Sequence, residues 1–180
     1  MKWESDVLLW IQDNLRNAVL DPVCKVFAYI GAHGELAIAV ALILLWIPRT
    51  RRTGCVCAVS LATTHIVGNL IIKRLVDRPR PYDTIDGLIP LVEPLKDSSF
   101  PSGHAAATFS CLFVILLMMP KKFGIPALCV SLFMAYSRLH VGVHYPTDVL
   151  AGSLLGMGFA VLFTVIYMKK FAPDAKVREL

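Results

Sequence analysis

Lys73, Arg80 and Arg138 are three cations set at the ends of apolar stretches, and His104, His144 and Asp148 lie in short polar segments beside them. They fall in three runs, KRLVDRPRP (73–81), PSGH (101–104) and SRLHVGVHYPTD (137–148). Arginine offers a planar fork of donors matched to phosphate oxygens and lysine adds a mobile point charge, so three such cations together call for a polyanion. Each cation alone is also explained by snorkelling to a membrane interface. That habit leaves the histidines unexplained. Pro101-Ser102-Gly103-His104 stands directly before a long apolar run. Ser102 or Gly103 can cap a helix there, glycine permits close backbone approach, and the free N–H groups carry partial positive charge toward an anion. His104, on the first turn, points to the same place. His144 and Asp148 are four residues apart, and Pro146 between them puts the start of a helix near residue 146. Asp148 in that first turn can reach back, and a carboxylate on one imidazole nitrogen leaves the other free as nucleophile or base. Two separately placed imidazoles give one candidate nucleophile and one candidate acid.

A different use of His104, His140 and His144 is joint metal ligation. The surrounding cations oppose it, and the nearby acids Asp83 and Asp86 show no ordered ligand spacing. The sequence therefore calls for no metal and no cofactor. The cysteines at 24, 55, 57, 111 and 129 lie in or beside apolar segments without zinc or disulfide spacing, and read as small core residues.

The elements that must hold these residues are membrane helices. Of 180 residues, 56% are hydrophobic and 17% charged, which excludes an ordinary soluble domain. Apolar runs predict spans over about Tyr29 to Ile47, Cys55 to Val76, Ala105 to Met119, Phe123 to Leu139 and Val149 to Met168. The first is weakened by Gly31-Ala32-His33-Gly34-Glu35 and follows a break at Asp21-Pro22. Ahead of it, Trp3, Val7, Trp10, Ile11 and Leu15 recur at helical spacing with Glu4, Asp6, Gln12 and Asp13 on the other side. That pattern fits an amphipathic helix within residues 1–22, lying in the interface or packed on the bundle. The acids in this segment also separate it from a cleaved signal peptide. The expected fold is all-α, an integral membrane bundle of about five spans forming a single domain over 1–180.

The net charge of +5 does not indicate nucleic acid, because the basic residues cluster between apolar runs. Arg49, Arg51 and Arg52, then Lys121 and Lys122, then Lys169, Lys170, Lys176 and Arg178 mark cytoplasmic segments. The 82–100 loop, the 140–146 turn and the three chemical runs then share the outer face of a multi-pass cell-membrane protein. Arg78 and Arg80 sit on that face against the charge rule, and anion binding is the evident reason. A transporter or channel would spread its charges through membrane depth, whereas these gather at one face.

The three runs, in order, resemble the signature of the type 2 phosphatidate phosphatase superfamily, which also includes vanadium-dependent haloperoxidases: Lys-x6-Arg-Pro, Pro-Ser-Gly-His, and Ser-Arg-x5-His-x3-Asp. Lys73 to Arg80-Pro81, residues 101–104, and Ser137-Arg138, His144 and Asp148 match every position. The resemblance implies that Lys73, Arg80, Arg138, Ser102 and Gly103 hold the phosphoryl oxygens. It further implies that His144, oriented by Asp148, becomes a phosphohistidine and that His104 protonates the leaving oxygen. Its members often have six spans, so residues 3–17 stand where a first span would be. The implied substrate is a lipid phosphate or diphosphate in the bilayer: undecaprenyl diphosphate first, phosphatidylglycerophosphate or phosphatidate as the alternative. Asn69, one turn before Lys73, and His65 are read as supporting or packing residues.

Overall fold

The computed structural model describes residues 2–31 and 34–171. Ala32, His33, Lys176 and Arg178 lie outside them. The described chain is helical: α1 (Lys2–Leu15), α2 (Leu20–Ile30), α3 (Glu35–Trp46), α4 (Arg51–His65), α5 (Lys73–Val76), α6 (Gly103–Met118), α7 (Lys121–His140) and α8 (Pro146–Phe171). A π-helical stretch, Ile66–Ile72, joins α4 to α5, and a 3-10 turn, Pro81–Asp83, follows.

α6 is the central helix, packed against α3, α4, α7 and α8. Most of its side chains are buried, including Ala105, Thr108, Phe109, Cys111 and Val114. It stops at Met119, whose extended backbone is what the following Pro120 demands. The approach of α8 to α6 depends on missing side chains. A Cβ on Gly152 would stand 2.4 Å from the Ser102 carbonyl oxygen, and one on Gly156 would stand 2.4 Å from that of Ala106. Two glycines four apart make a groove that admits a neighbouring backbone, as in packed membrane helices. This contact sets the Ser102–Gly103 start of α6 against the start of α8.

Two helical stretches, Arg51–Asp83 and Pro146–Phe171, are long and apolar enough to cross a membrane, and α2 with α3 forms a third if that bent pair is one span. α2 and α3 meet at 61°, so the predicted single span from Tyr29 to Ile47 is two helices. Asp21-Pro22 does not break the chain: both residues lie in the first turn of α2, where proline's fixed φ and missing N–H are tolerated. α6 and α7 fall where the third and fourth spans were expected. α6 has 16 residues, about 24 Å of helix, and is enclosed by its neighbours. α7 is basic at both ends. Exposed Ile38, Leu42, Leu132, Leu150, Leu154 and Val165 give the bundle an apolar exterior.

α1 packs on α7 and α8 with Leu8 and Ile11 buried, while Trp3 and Trp10 are about half exposed. Its polar face is not wholly solvated, because Glu4 is fully buried. The 82–100 segment folds onto the helix ends, with Ile85 and Leu88 packed against Leu8 and Tyr145. Leu91 N donates to the Val141 carbonyl at 3.0 Å, and Gln12 Nε2 donates to that of Gly87 at 3.0 Å.

Candidate active site

Four helix ends meet on one side of the bundle: the end of α5, the starts of α6 and α8, and the end of α7. They bound a cavity of about 1080 Å³ lined by Lys73, Arg80, Asp97, Gly103, His104, Arg138 and His144. Its other wall is apolar and runs between α3 and α4, from Asn69 and His65 past Ala62, Leu61 and Ala58 to Leu45. From Lys73 to Ala58 is about 22 Å of helix. The cavity thus joins a cationic head to a long apolar trough. The π-helical stretch lies at the junction, a common place for such a distortion in functional sites. Within it, Asn69 Nδ2 contacts His65 Nδ1 at 3.0 Å, and a Cβ on Gly103 would meet Asn69 Oδ1 at 3.0 Å. Gly103 therefore allows α6 to start beside that amide.

His144 is positioned by the turn that ends α7. Gly142 holds φ of +77°, a left-handed conformation that suits glycine at a helix end, and a Cβ there would also crowd Arg16 Nη2 at 3.0 Å. His144 is 1% exposed. Its Nδ1 lies 2.8 Å from the Ser99 carbonyl oxygen, and its Nε2 lies 3.1 Å from Arg80 Nη1. A carbonyl only accepts and a guanidinium only donates, so Nδ1 carries the proton and Nε2 presents its lone pair. The sequence expectation gave the tautomer to Asp148. The carboxylate lies 3.7 Å from Nδ1, too far for a hydrogen bond, and the Ser99 carbonyl holds the proton instead. Asp148 Oδ2 accepts from Tyr145 N at 2.9 Å and Oδ1 from Arg78 Nη1 at 2.6 Å. Burial pushes the His144 imidazole down to about 4; the Asp148 carboxylate opposes this, and Arg80 adds to it.

The cations are held differently from one another. Arg80, 3% exposed, donates to the Asp97 carbonyl (2.9 Å), the Asp97 carboxylate (2.6 Å) and the Val143 carbonyl (2.8 Å). Lys73 Nζ donates to the other Asp97 carboxylate oxygen at 2.5 Å. Although burial alone would raise it, the Asp97 carboxyl is pulled down to about 2 by Lys73 and Arg80. Arg138, 1% exposed, donates to the Ser137 hydroxyl from Nε at 3.2 Å and Nη2 at 3.0 Å, and pairs with no carboxylate among the described residues. His104 faces the same cavity, and its Nε2 donates to the Ala28 carbonyl at 3.1 Å. Proton exchange with a ligand then uses Nδ1, or Nε2 once it has left Ala28.

Ser102 does not line the cavity. It is fully buried behind Gly103, its N donates to the Asp148 carbonyl at 3.0 Å, and its hydroxyl has no partner among the described residues. Arg78 does not face the cavity either, contrary to its reading as an anion binder. The anions it meets are the chain's own Glu4 and Asp148. His140 is apart from the site, with Nε2 on Asp21 at 2.8 Å and Nδ1 accepting from the Tyr136 hydroxyl at 2.9 Å, so it ties α7 to α2. Among the described residues no three His, Cys, Asp or Glu gather as metal ligands. The site residues that sequence reasoning missed are Asp97, the Ser99 carbonyl and Glu4. Only Glu4, an acid amid apolar residues at helical spacing, carried a signal.

The chain is similar to known proteins. The undecaprenyl-diphosphatase of Sulfolobus acidocaldarius is 31% identical over 143 residues, covering 79% of this chain and 68% of that protein. The decaprenylphosphoryl-5-phosphoribose phosphatase of Mycolicibacterium smegmatis is 36% identical over 153 residues, covering 83% and 81%. The crystal structure of Aquifex aeolicus LpxE has the same fold, with a TM-score of 0.78 at 24% identity, covering 88% of this chain and 92% of that one. The profile of the PAP2 superfamily matches residues 53–172, from α4 through α8, and the chain belongs to that superfamily as a membrane phosphatase acting on phosphoric esters.

Proposed function

We propose that the chain is a polyprenyl diphosphate phosphatase that converts undecaprenyl diphosphate to undecaprenyl phosphate. The observation that carries this reading is the joining of Lys73, Arg80 and Arg138 to an apolar trough in one cavity, a head for phosphate and a wall for a long tail. Two relatives whose names specify polyprenyl phosphates support it. In the proposed mechanism the three cations and the N–H groups at Gly103 hold the transferring phosphoryl group. The His144 Nε2 lone pair attacks phosphorus, the bond to the leaving oxygen breaks, and His104 gives that oxygen a proton. Water then attacks the phosphohistidine, returns a proton to His104 and releases phosphate. Asp148 balances the charge that His144 gains. The same reading has one domain and five crossings, with the site on the extracytoplasmic face. The clusters at Arg49, Arg51 and Arg52, at Lys121 and Lys122, and at Lys169 and Lys170 lie at the opposite helix ends.

The test is phosphate release by the purified protein from undecaprenyl diphosphate, phosphatidylglycerophosphate and phosphatidate in matched micelles. The expected result is the highest kcat/KM for the diphosphate. A clear preference for either glycerophospholipid would replace the substrate, and no release from any of them would overturn the reading.

Asp97 makes a second expectation. Its carboxylate uses the same Lys73 and Arg80 donors that a phosphoryl group needs, so it competes with substrate. With its pKa held near 2, it stays charged and competes at every working pH. Asp97→Asn should lower KM and the inhibition constant of inorganic phosphate by about tenfold, the equivalent of 1.4 kcal/mol. A rise in both constants would make Asp97 a support for the cations instead of a rival to the substrate.

A further inference from the structure

Arg78 is held on every side. Its Nη2 donates to Glu4 Oε2 at 2.8 Å, and its Nη1 donates to Asp148 Oδ1 at 2.6 Å and the Thr147 hydroxyl at 2.7 Å. Its guanidinium lies 3.8 Å over the Tyr145 ring. Its own carbonyl accepts from Ser99 N at 2.8 Å, and its N donates to the Ser98 hydroxyl at 3.1 Å. Glu4, from the first turn of α1, accepts from both the Thr147 N (3.2 Å) and hydroxyl (2.6 Å). Arg78 thus holds two groups beside the His144 ring: through its backbone Ser99, whose carbonyl fixes Nδ1, and through its side chain Asp148, whose carboxylate lies 3.7 Å from that nitrogen. Two buried carboxylates around one guanidinium form a charge-assisted network with defined geometry, and breaking such a network leaves a carboxylate unpaired.

We infer that Arg78, locked by Glu4, is the positioning residue that keeps His144 aimed at the phosphate seat, and that α1 therefore completes the active site. Glu4 lies outside the 53–172 segment matched by the superfamily, so this part of the assembly belongs to the chain's own N-terminal helix. The inference rests on the reading of His144 as nucleophile. Neither residue lines the cavity, so the phosphate-binding cations are untouched by their replacement.

The consequence is a split between turnover and binding. Loosening the aim of a nucleophile by about 1 Å costs on the order of 100-fold in rate. In the full-length protein, Arg78→Ala is expected to lower kcat by about that factor while KM stays within about threefold. Arg78→Lys, which keeps charge but cannot serve both carboxylates, should recover roughly a tenth to a third of the loss on a logarithmic scale. Added guanidinium ion should raise the rate of Arg78→Ala and leave wild type unchanged. Glu4→Gln, which keeps shape and an accepting oxygen, should lower kcat by several-fold at constant KM. It serves as the reading should Arg78→Ala fail to fold. His144→Ala runs beside them. If it is inactive while folded Arg78→Ala and Glu4→Gln turn over at the wild-type rate, the inference is overturned and the nucleophile stands. If His144→Ala itself turns over normally, the nucleophile reading fails first. A parallel loss of kcat, KM and thermal stability without guanidinium rescue would make the network a fold contact only, and would also overturn the inference.

Discussion

Replacing His144 with Ala is expected to lower phosphate release by roughly 10⁴-fold or more, the scale seen when a covalent nucleophile is removed. Binding of a non-hydrolysable phosphonate analogue should stay close to wild type, because the proposed phosphate-binding residues Lys73, Arg80 and Arg138 remain. The expectation follows from the two hydrogen bonds of the ring. Ser99 takes the proton on Nδ1, and Arg80 holds Nε2 as a lone pair beside the donors proposed for the phosphoryl group. The sign of the pH dependence follows as well. With a pKa pushed down to about 4, His144 is neutral above that value, so protonation of the nucleophile removes activity only as pH falls through about 4. The acid limb of kcat/KM should accordingly lie well below the 6.5 of free histidine. Acid-labile, alkali-stable phosphate on wild-type protein quenched during turnover, absent from His144→Ala, checks the covalent step. Turnover of His144→Ala near the wild-type rate would exclude it.

The grouping of the residues was legible because it is written in side-chain types at fixed spacing: Lys73, Arg80, Gly103, His104, Arg138 and His144 line one cavity, and Asp148 lies beside His144. What was not legible depends on backbone and on partners far apart in sequence. The Ser99 carbonyl that fixes the His144 tautomer has no signature, since every residue has a carbonyl. Asp97 is one acid in an irregular loop, with no period to set its direction. Periodicity put Glu4 on the polar face of α1 correctly as a matter of pattern. There it meets Arg78 and Thr147, partners that no periodicity shows, and their hydrogen bonds help a buried carboxylate to be tolerated. Asp21-Pro22 was read as a break because the two residues are turn formers, yet they equally suit the first turn of a helix. Ser102 matched the motif, but it is buried where the backbone of α8 passes close at Gly152 and does not line the cavity, a packing fact that the tetrapeptide alone does not contain.

Arg138 separates function from stability most sharply. It is the largest of the fully buried side chains, its donors reach only the neighbouring Ser137 hydroxyl, and no carboxylate answers its charge among the described residues. Burying a charge without a counter-ion is costly, so the fold holds Arg138 at a loss that a bound phosphate would offset. Replacing it with Met, which fills a similar volume without the charge, is expected to stabilise the ligand-free protein by roughly 1–4 kcal/mol, the range for buried ionic groups replaced by apolar ones. The same change should lower kcat/KM by roughly 10² to 10³, the scale for losing one preorganised donor to a developing negative charge. Inorganic phosphate should raise the thermal unfolding temperature of wild type and do so much less for Arg138→Met. Lys73 and Arg80 provide the contrast, since Asp97 already answers both charges, and replacing either with Met would remove one of its two ion pairs and bring no gain in stability. Unfolding curves in one detergent, with and without phosphate, read both effects. An Arg138→Met protein less stable than wild type in the absence of phosphate would mean that the guanidinium is satisfied within the fold, and that its place in the cavity is structural.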